Sequence, residues 1–174
     1  MNAREAEAFS EAEFIQIVET HSGKLTRYVY HRTRQLELSR DIVQEAFLRL
    51  LKARRKPSGD RVIPWLYLVC RNLAIDSQRR QSRWVGNGSD LIQHYSSSSE
   101  PDPLQSTIES ETRQMLYSCL DQLPERHREV MVLKFQSGLS YKAISAVTGL
   151  SVTNVGFVIH QSVSRLRYEM AKRV

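Results

Sequence analysis

Between Trp65 and Arg80 the chain reads Trp-Leu-Tyr-Leu-Val-Cys-Arg-Asn-Leu-Ala-Ile-Asp-Ser-Gln-Arg-Arg. Wound as a helix, Trp65, Asn72, Asp76, Arg79 and Arg80 fall within roughly a quarter turn of one another. An aromatic ring stacks on an unpaired base, an amide or carboxylate bonds to base edges, and a guanidinium neutralises phosphate. These five residues therefore form a face suited to nucleic acid. A plainer reading stands beside it: Trp65 belongs to a core, and Asp76 pairs with Arg80 one helical turn on. On the other side of this helix, Leu66, Cys70, Leu73, Ala74 and Ser77 are expected to be buried.

The run Asp41-Ile-Val-Gln-Glu-Ala-Phe-Leu-Arg-Leu-Leu-Lys52 carries a second surface. At helical period Val43, Ala46, Phe47, Leu50 and Leu51 form an apolar stripe, the expected core face. Opposite them lie Asp41, Gln44, Glu45, Arg49 and Lys52, with Leu48 in their midst. A solvated polar face is the ordinary reading. An apolar side chain among interleaved acids and bases points instead to protein docking.

Nearer the C-terminus, Tyr141 to His160 shows a short amphipathic stretch, Gly149, and then Ser151, a residue suited to cap a new helix. Ile144, Leu150 and Val155 are apolar, Ser145 is small, and only a few residues separate the two helices. This is the pattern of a helix-turn-helix, whose second helix enters the DNA major groove with its first amides near a phosphate. A plain helical hairpin has the same outline.

These surfaces need helices to carry them, and the composition supplies helices. Of 174 residues 41% are hydrophobic, which suffices for packed cores, and only seven are Gly and five Pro. No alternating runs signal strands, so the fold class expected is all-α. A capping box at Ser10 and Glu13 starts a helix over 11–20. Others are expected over 24–36, from a Ser39 cap to Lys52, and from Pro64 to Arg83, with 56–60 a loop. Residues 85–106 hold Gly86, Gly88, the Ser96–Ser99 run, Pro101 and Pro103. They read as a flexible tether, because such a stretch buries too little to offset its ordering entropy. Beyond it, helices are expected over 107–122, 125–137, 141–148 and 152–171, with Pro124 suited to a first turn. The chain thus divides into a domain over 9–84, a tether over 85–106 and a domain over 107–174.

The charge balance of 25 Lys and Arg against 19 Asp and Glu favours a polyanionic partner. The acidic start (Glu5, Glu7, Glu11, Glu13) is unlike a signal peptide, and no run of about 18 apolar residues occurs, so no membrane insertion and a cytoplasmic location are expected. Cys70 and Cys119 lack metal-ligand spacing and read as reduced packing residues. The five histidines are scattered, and neither a glycine-rich phosphate loop nor a nucleophile elbow occurs. No catalysis and no cofactor or metal are expected.

Taken in order, the segments Asp41–Leu50, Trp65–Arg80 and Leu123–Lys134, with the helix-turn-helix behind the last, resemble the sigma-70 family, extracytoplasmic-function group. The resemblance spans about residues 9 to 170. It implies sigma domain 2, a linker and sigma domain 4, with core RNA polymerase and promoter DNA as partners and an anti-sigma protein as a regulator. In that scheme Asp41, Gln44, Glu45, Leu48 and Arg49 contact the clamp helices of the largest polymerase subunit. Asn72 and Asp76 read a minus-ten base, and Arg79, Arg80 and Arg83 hold the DNA backbone. The loop Lys56 to Val62, with Asp60 and Arg61, holds a flipped-out base near Trp65. The minus-35 contacts fall to Ser151, Thr153, Asn154, Phe157, His160, Gln161 and Arg165, with Arg126 and Arg128 gripping backbone or the polymerase flap.

One departure stands out. Where the family usually sets basic residues soon after the turn, this chain has Gly156, Phe157, Val158 and Gln161. Helical projection buries Val152, Val155, Ile159, Ser162, Val163 and Leu166. It turns Thr153, Asn154, Phe157, His160, Gln161 and Ser164 outward. Phosphate contacts supply most non-specific DNA affinity, so this domain alone is expected to bind DNA weakly. Phe157 then either covers a thymine methyl, with Asn154 and Gln161 reading bases, or marks a contact for an inhibitor or for the first domain. Two other functions compete: a helix-turn-helix regulator that never joins polymerase, and a helical adaptor. The first would need a sensing N-terminal half, and the second leaves the Trp65–Arg80 face without a purpose.

Overall fold

The computed structural model describes residues 10–53, 57, 59–85, 116 and 118–172, and for 83–85 the backbone alone. No strand occurs among the described residues, as an all-α chain requires. Val85 still belongs to a helix, while the rest of the expected tether and the start of the helix expected from 107 lie outside them. The chain forms two compact units, one towards each end.

The first unit is three helices: α1 (Glu11–Thr33), α2 (Leu36–Lys52) and α3 (Val62–Val85). The capping box at the start of α1 forms. Ser10 Oγ accepts the Glu13 amide at 3.2 Å, and the Glu13 carboxylate accepts the Ser10 amide at 2.9 Å. The Ser10 amide foremost, and then the Ser10 hydroxyl donating to the same carboxylate oxygen at 3.0 Å, hold the Glu13 carboxyl below its usual range. The two helices expected over 11–20 and 24–36 are one, running through Gly23 without a break. A helical glycine costs only about 1 kcal/mol relative to alanine, and the burial of Leu25, Tyr28 and Val29 beyond it outweighs that.

α1 ends on Arg34, in the left-handed region at φ +56°, whose amide donates to Tyr30 O at 2.9 Å. The reading of Ser39 as a helix cap is corrected: Gln35 precedes α2, and Ser39 lies inside the helix at 0% exposure. Its hydroxyl donates to Gln35 O at 2.7 Å and meets Thr33 Oγ1 at 2.8 Å, so it ties the α1–α2 turn together. Gly59–Arg61 form a 3₁₀ turn leading directly into α3.

α1 packs on α2 and α3, and α2 on α3. Leu25, Leu50, Leu66, Tyr67 and Cys70 are wholly buried between them. Tyr28 meets Tyr67 edge-on at 5.2 Å, and Phe14 meets Phe47 edge-on at 6.1 Å. Burial pushes the Cys70 thiol up to about 12, so it stays protonated and inert, in keeping with its reading as a packing residue. Three expectations change here. Leu51 is 46% exposed rather than core, because Ile42 fills the stripe on the other flank of α2. On α3, Leu73 and Ser77 are half-buried, and the wholly buried position beside Leu66 belongs to Tyr67.

In the second unit, Leu116 and residues 118–121 are helical and lead to α4 (Glu125–Met131). The regular helix expected over 125–137 stops at Met131 and continues as a wider π turn over Val132–Gln136, where the Ser137 amide donates to Val132 O at 3.0 Å. Val130, Met131, Val132 and Leu133 are all buried, a run that one face of a regular helix cannot bury. Pro124 stands just before α4 as its cap position. Then come α5 (Tyr141–Thr148) and α6 (Val152–Ala171), at the bounds the sequence predicts. Cys119, Leu123, Met131 and Leu166 form one buried cluster, against which Leu120, Val163 and Met170 pack.

Two outcomes follow for stability. A Cβ at Gly23 would meet nothing within 4 Å. Gly23→Ala is therefore expected to raise the first unit's unfolding free energy by about 0.5–1 kcal/mol in urea titration. The His21 imidazole is held below its usual value of 6.5 by burial first and by Lys24 second, and its Nδ1 is buried without a protein partner. As pH falls below that value the unfolded chain takes up the proton more readily than the folded one. Stability is therefore full above pH 6.5 and declines below it, and His21→Gln should flatten that decline in titrations run from pH 7.5 to 5.

Candidate nucleic-acid and protein interfaces

Because Ile42, Val43, Ala46, Phe47 and Leu50 are buried, helical geometry turns Asp41, Gln44, Glu45, Leu48 and Arg49 outward. All five are exposed or half-exposed, and Leu48 keeps 46% of its surface in water. Arg49 Nε donates to Glu45 Oε1 at 2.7 Å, and Arg40 pairs likewise with Glu37 at 2.6 Å. Such exposed pairs are worth about 0.3–0.5 kcal/mol each. Their effect is rather to balance charge within the helix, so that the apolar Leu48 stands on a nearly neutral surface. Leu51, which the periodicity assigned to the core, projects three residues beyond Leu48 and extends that apolar ground.

α3 leaves Asn72, Asp76, Arg79 and Arg80 exposed along one side, with Trp65 half-buried about two to four turns before them. Of the plainer reading, the Asp76–Arg80 side-chain pair does not form, since Arg80 Nε donates to the Asp76 backbone carbonyl at 3.3 Å, while Trp65 is only partly buried. The Asp76 carboxylate therefore remains at the exposed surface. Asp60 and Arg61 are exposed in the 3₁₀ turn immediately before α3. Gln78 Nε2 donates to Arg32 O at 3.0 Å, which fixes the later turns of α3 against the end of α1. Lys56 and the Arg83 side chain lie outside the described residues.

In the second unit α5 and α6 meet at 101°, within the usual range for a helix-turn-helix. Each turn residue has a physical task. Ser140 caps α5 by accepting the Ala143 amide at 3.2 Å. Gly149 ends it at φ +74°, where an L side chain would be strained, and donates to Ser145 O at 2.9 Å. Ser151 begins α6 by accepting the Asn154 amide at 3.2 Å. The Ser145 hydroxyl donates to Leu150 O at 2.6 Å and closes the turn from inside. The sequence reading took Ser145 only as small; its signal was its hydroxyl, one turn before the end of α5.

Along α6 the buried residues are Val155, Val158, Ile159, Ser162 and Leu166. Val152 is corrected from buried to 48% exposed, since in the first turn of α6 the core has not yet begun. Ser151, Thr153, Asn154, Phe157, His160, Gln161 and Ser164 all face water, Phe157 with 64% of its surface exposed. The first cation on this helix is Arg165. With Pro124, His127, Gln161 and Ser162 it lines a cavity of about 190 Å³, in which His127 Nδ1 and Ser162 Oγ lie 3.1 Å apart.

Two basic residues before the turn differ in what they can reach. Arg126 is exposed. Arg128 donates to Asp121 Oδ1 at 3.2 Å, Asp121 O at 3.0 Å and Leu123 O at 3.2 Å, and so clamps α4 to the helical segment before it. Lys134 Nζ lies 5.1 Å from the Tyr141 ring centre, a cation–π contact at the start of α5. Among the described residues no group of three or more His, Cys, Asp or Glu could hold a metal, and no single helix is long and apolar enough to cross a membrane.

Comparison with known proteins fits this arrangement. The pattern of Sigma-70 region 2 matches residues 17–84, which include both outward faces of the first unit. That of Sigma-70 region 4 matches residues 113–166. The ECF RNA polymerase sigma factor SigM of Bacillus subtilis is 26% identical over 152 residues, covering 87% of this chain and 91% of that protein. SigL of Mycobacterium tuberculosis, also an ECF RNA polymerase sigma factor, is 30% identical over 157 residues, covering 87% of this chain and 85% of that protein. The sigma factor RpoE of Bartonella quintana, solved in complex with the anti-sigma factor NepR, shares the fold at a TM-score of 0.67 and 18% identity, over 91% of this chain and 96% of that one. A helix-turn-helix unit matching region 4, a three-helix unit matching region 2, and a relative of this identity over most of both chains define one lineage: the chain belongs to the sigma-70 family of RNA polymerase sigma factors, extracytoplasmic-function group.

Proposed function

We propose that this sigma factor joins core RNA polymerase through the outward face of α2 and opens promoters with the outward face of α3. The observation that carries the reading is the pairing of these two faces within one packed three-helix unit. Leu48, with Leu51 at its flank, offers an apolar centre bordered by Asp41, Gln44, Glu45 and Arg49, the mixture that a protein interface buries well. Trp65, Asn72, Asp76, Arg79 and Arg80, with Asp60 and Arg61 before them, offer stacking, base-edge and phosphate chemistry in that order along the helix. Lys56 and Arg83 complete the set of residues assigned to DNA. Residues 9–84 would then form the polymerase-binding and minus-ten half, 85–106 the tether, and 107–174 the half that reads the upstream element.

In that second half, α6 would lie in the major groove with Ser151, Thr153, Asn154, Phe157, His160, Gln161 and Arg165 toward the DNA, and Arg126 toward its backbone. Arg128 is better understood as the clamp between α4 and the preceding segment than as a DNA contact. A regulator that never joins polymerase is the weaker reading, because region 2 accounts for the N-terminal half that such a regulator would use for sensing. We also infer that the chain works in the cytoplasm beside polymerase and performs no bond chemistry of its own. An anti-sigma protein, such as accompanies the Bartonella quintana factor, fits as its regulator.

The two faces make separable predictions. Leu48→Asp is expected to weaken binding to core polymerase at least tenfold in a gel-filtration or fluorescence titration, since it puts a charge into a desolvated contact. Arg79→Ala with Arg80→Ala is expected to abolish promoter opening, read by permanganate footprinting, while leaving polymerase binding within about twofold. Loss of polymerase binding in the double variant would mean that the faces are assigned wrongly.

A further inference from the structure

The minus-35 half of the proposed function leaves open which bases α6 selects, and its outer face is chemically specific. From Val152 to Ser164 that helix carries no charged residue. Guanine is read most often by a bidentate Arg or Lys, adenine by Asn or Gln, and thymine by an apolar group against its methyl. Arg165 lies eight residues beyond Phe157, about 12 Å further along the helix axis, and is too distant to serve the base pair that Phe157 faces. Asn154, by contrast, is one turn before Phe157, and Gln161 is one turn after it, on the same exposed side.

The ring itself is held out for contact. Val155 and Val158, on either side of it in sequence, are buried, which fixes the orientation of the helix and keeps Phe157 in water. At Gly156 the Tyr141 ring approaches to within 3.5 Å of where a Cβ would stand, so a second aromatic packs on the helix at that level. Lys134 sits over that second ring. A large exposed ring and two flanking amides, with no cation from Val152 to Ser164 on the same helix, fit the major-groove edge of an A·T pair: thymine methyl, adenine N7 and adenine N6.

We propose that Phe157 makes this sigma factor selective for a thymine in the upstream promoter element, by covering its 5-methyl group, with Asn154 and Gln161 reading adenines on the adjoining base pairs. The assignment rests on the promoter-binding reading above and adds the base preference to it. It also explains how a recognition helix without a cation in its first three turns can still select a sequence: discrimination comes from shape and amide hydrogen bonds, and charge is left to other parts of the chain.

The test uses core polymerase loaded with the full chain and a pool of templates randomised across the upstream element. Transcribed templates should be enriched in A·T pairs and carry one strongly preferred thymine. Replacing that thymine by deoxyuridine, which removes only the methyl, should lower initiation about fourfold, the value of one buried methylene-sized group. Phe157→Ala should lower initiation on the thymine template by about the same factor and make the chain indifferent to deoxyuridine. Phe157→Leu, which keeps an apolar group, should retain part of the methyl dependence. Enrichment of guanine, equal use of thymine and deoxyuridine at every position, or an undiminished methyl effect in Phe157→Ala would overturn the assignment and leave the ring to a protein contact. A chain that binds polymerase and transcribes without methyl dependence defeats this inference alone. A chain that yields no transcript from any template, or no complex, defeats the promoter reading and this inference with it.

Discussion

The first unit depends on one packing arrangement: Leu25 of α1, Leu50 of α2, and Leu66 and Tyr67 of α3 are withdrawn from water together, with no measurable exposure. Burying a side chain of this size is worth about 1.5–3 kcal/mol, and each helix contributes at least one. At 3.6 residues per turn, a helix that commits Ile42, Ala46 and Leu50 to the core must present Leu48 and Asp41 to the outside. The same rule, applied to Leu66, Cys70 and Ala74, sends Asn72, Asp76 and Arg79 outward. The two outward faces are thus a geometric consequence of where the core lies. That is why a chain this short can keep two surfaces of different chemistry in fixed relation within one unit.

The second unit solves a different problem, holding two short helices at a sharp angle. α5 has eight residues, too few to be stable alone, so its ends carry the structure. Ser140 and Gly149 satisfy the backbone at either end, and the Ser145 hydroxyl reaches Leu150 O. Arg128 acts at longer range, drawing α4 onto the segment before it through carbonyl and carboxylate acceptors. Both serine and arginine serve here as backbone partners, and the exposed face of α6 is left for recognition.

Much of this was legible in the sequence. The Ser10–Glu13 capping box, the Gly149–Ser151 turn and the bounds of α5 and α6 come from local chemistry that tertiary packing did not override. The outward placement of Leu48, Asn72, Asp76 and Phe157 came from periodicity alone. What periodicity could not decide were the flanks of each stripe. Leu51 and Ile42 both border the α2 core, and only the approach of α1 and α3 chooses Ile42. Ser39 resembles a cap by type, yet its hydroxyl finds Gln35 O and Thr33 Oγ1 because the α1–α2 turn brings them there. The break expected between residues 20 and 24 fails for the same reason. A glycine inside a helix costs about 1 kcal/mol, and the apolar residues beyond Gly23 are worth more.

The absence of cations from the first three turns of α6 has a consequence for how the protein responds to its medium. Each Lys or Arg that neutralises a phosphate releases counterions, and the salt sensitivity of DNA binding scales with the number of such contacts. A recognition helix whose first cation is Arg165 releases few of them. On the proposed assignment, rising ionic strength would therefore weaken phosphate contacts by Arg79 and Arg80 more than base contacts by Phe157 and its neighbouring amides. The balance between the two proposed contacts would then shift with ionic strength, the upstream one counting for more as salt rises.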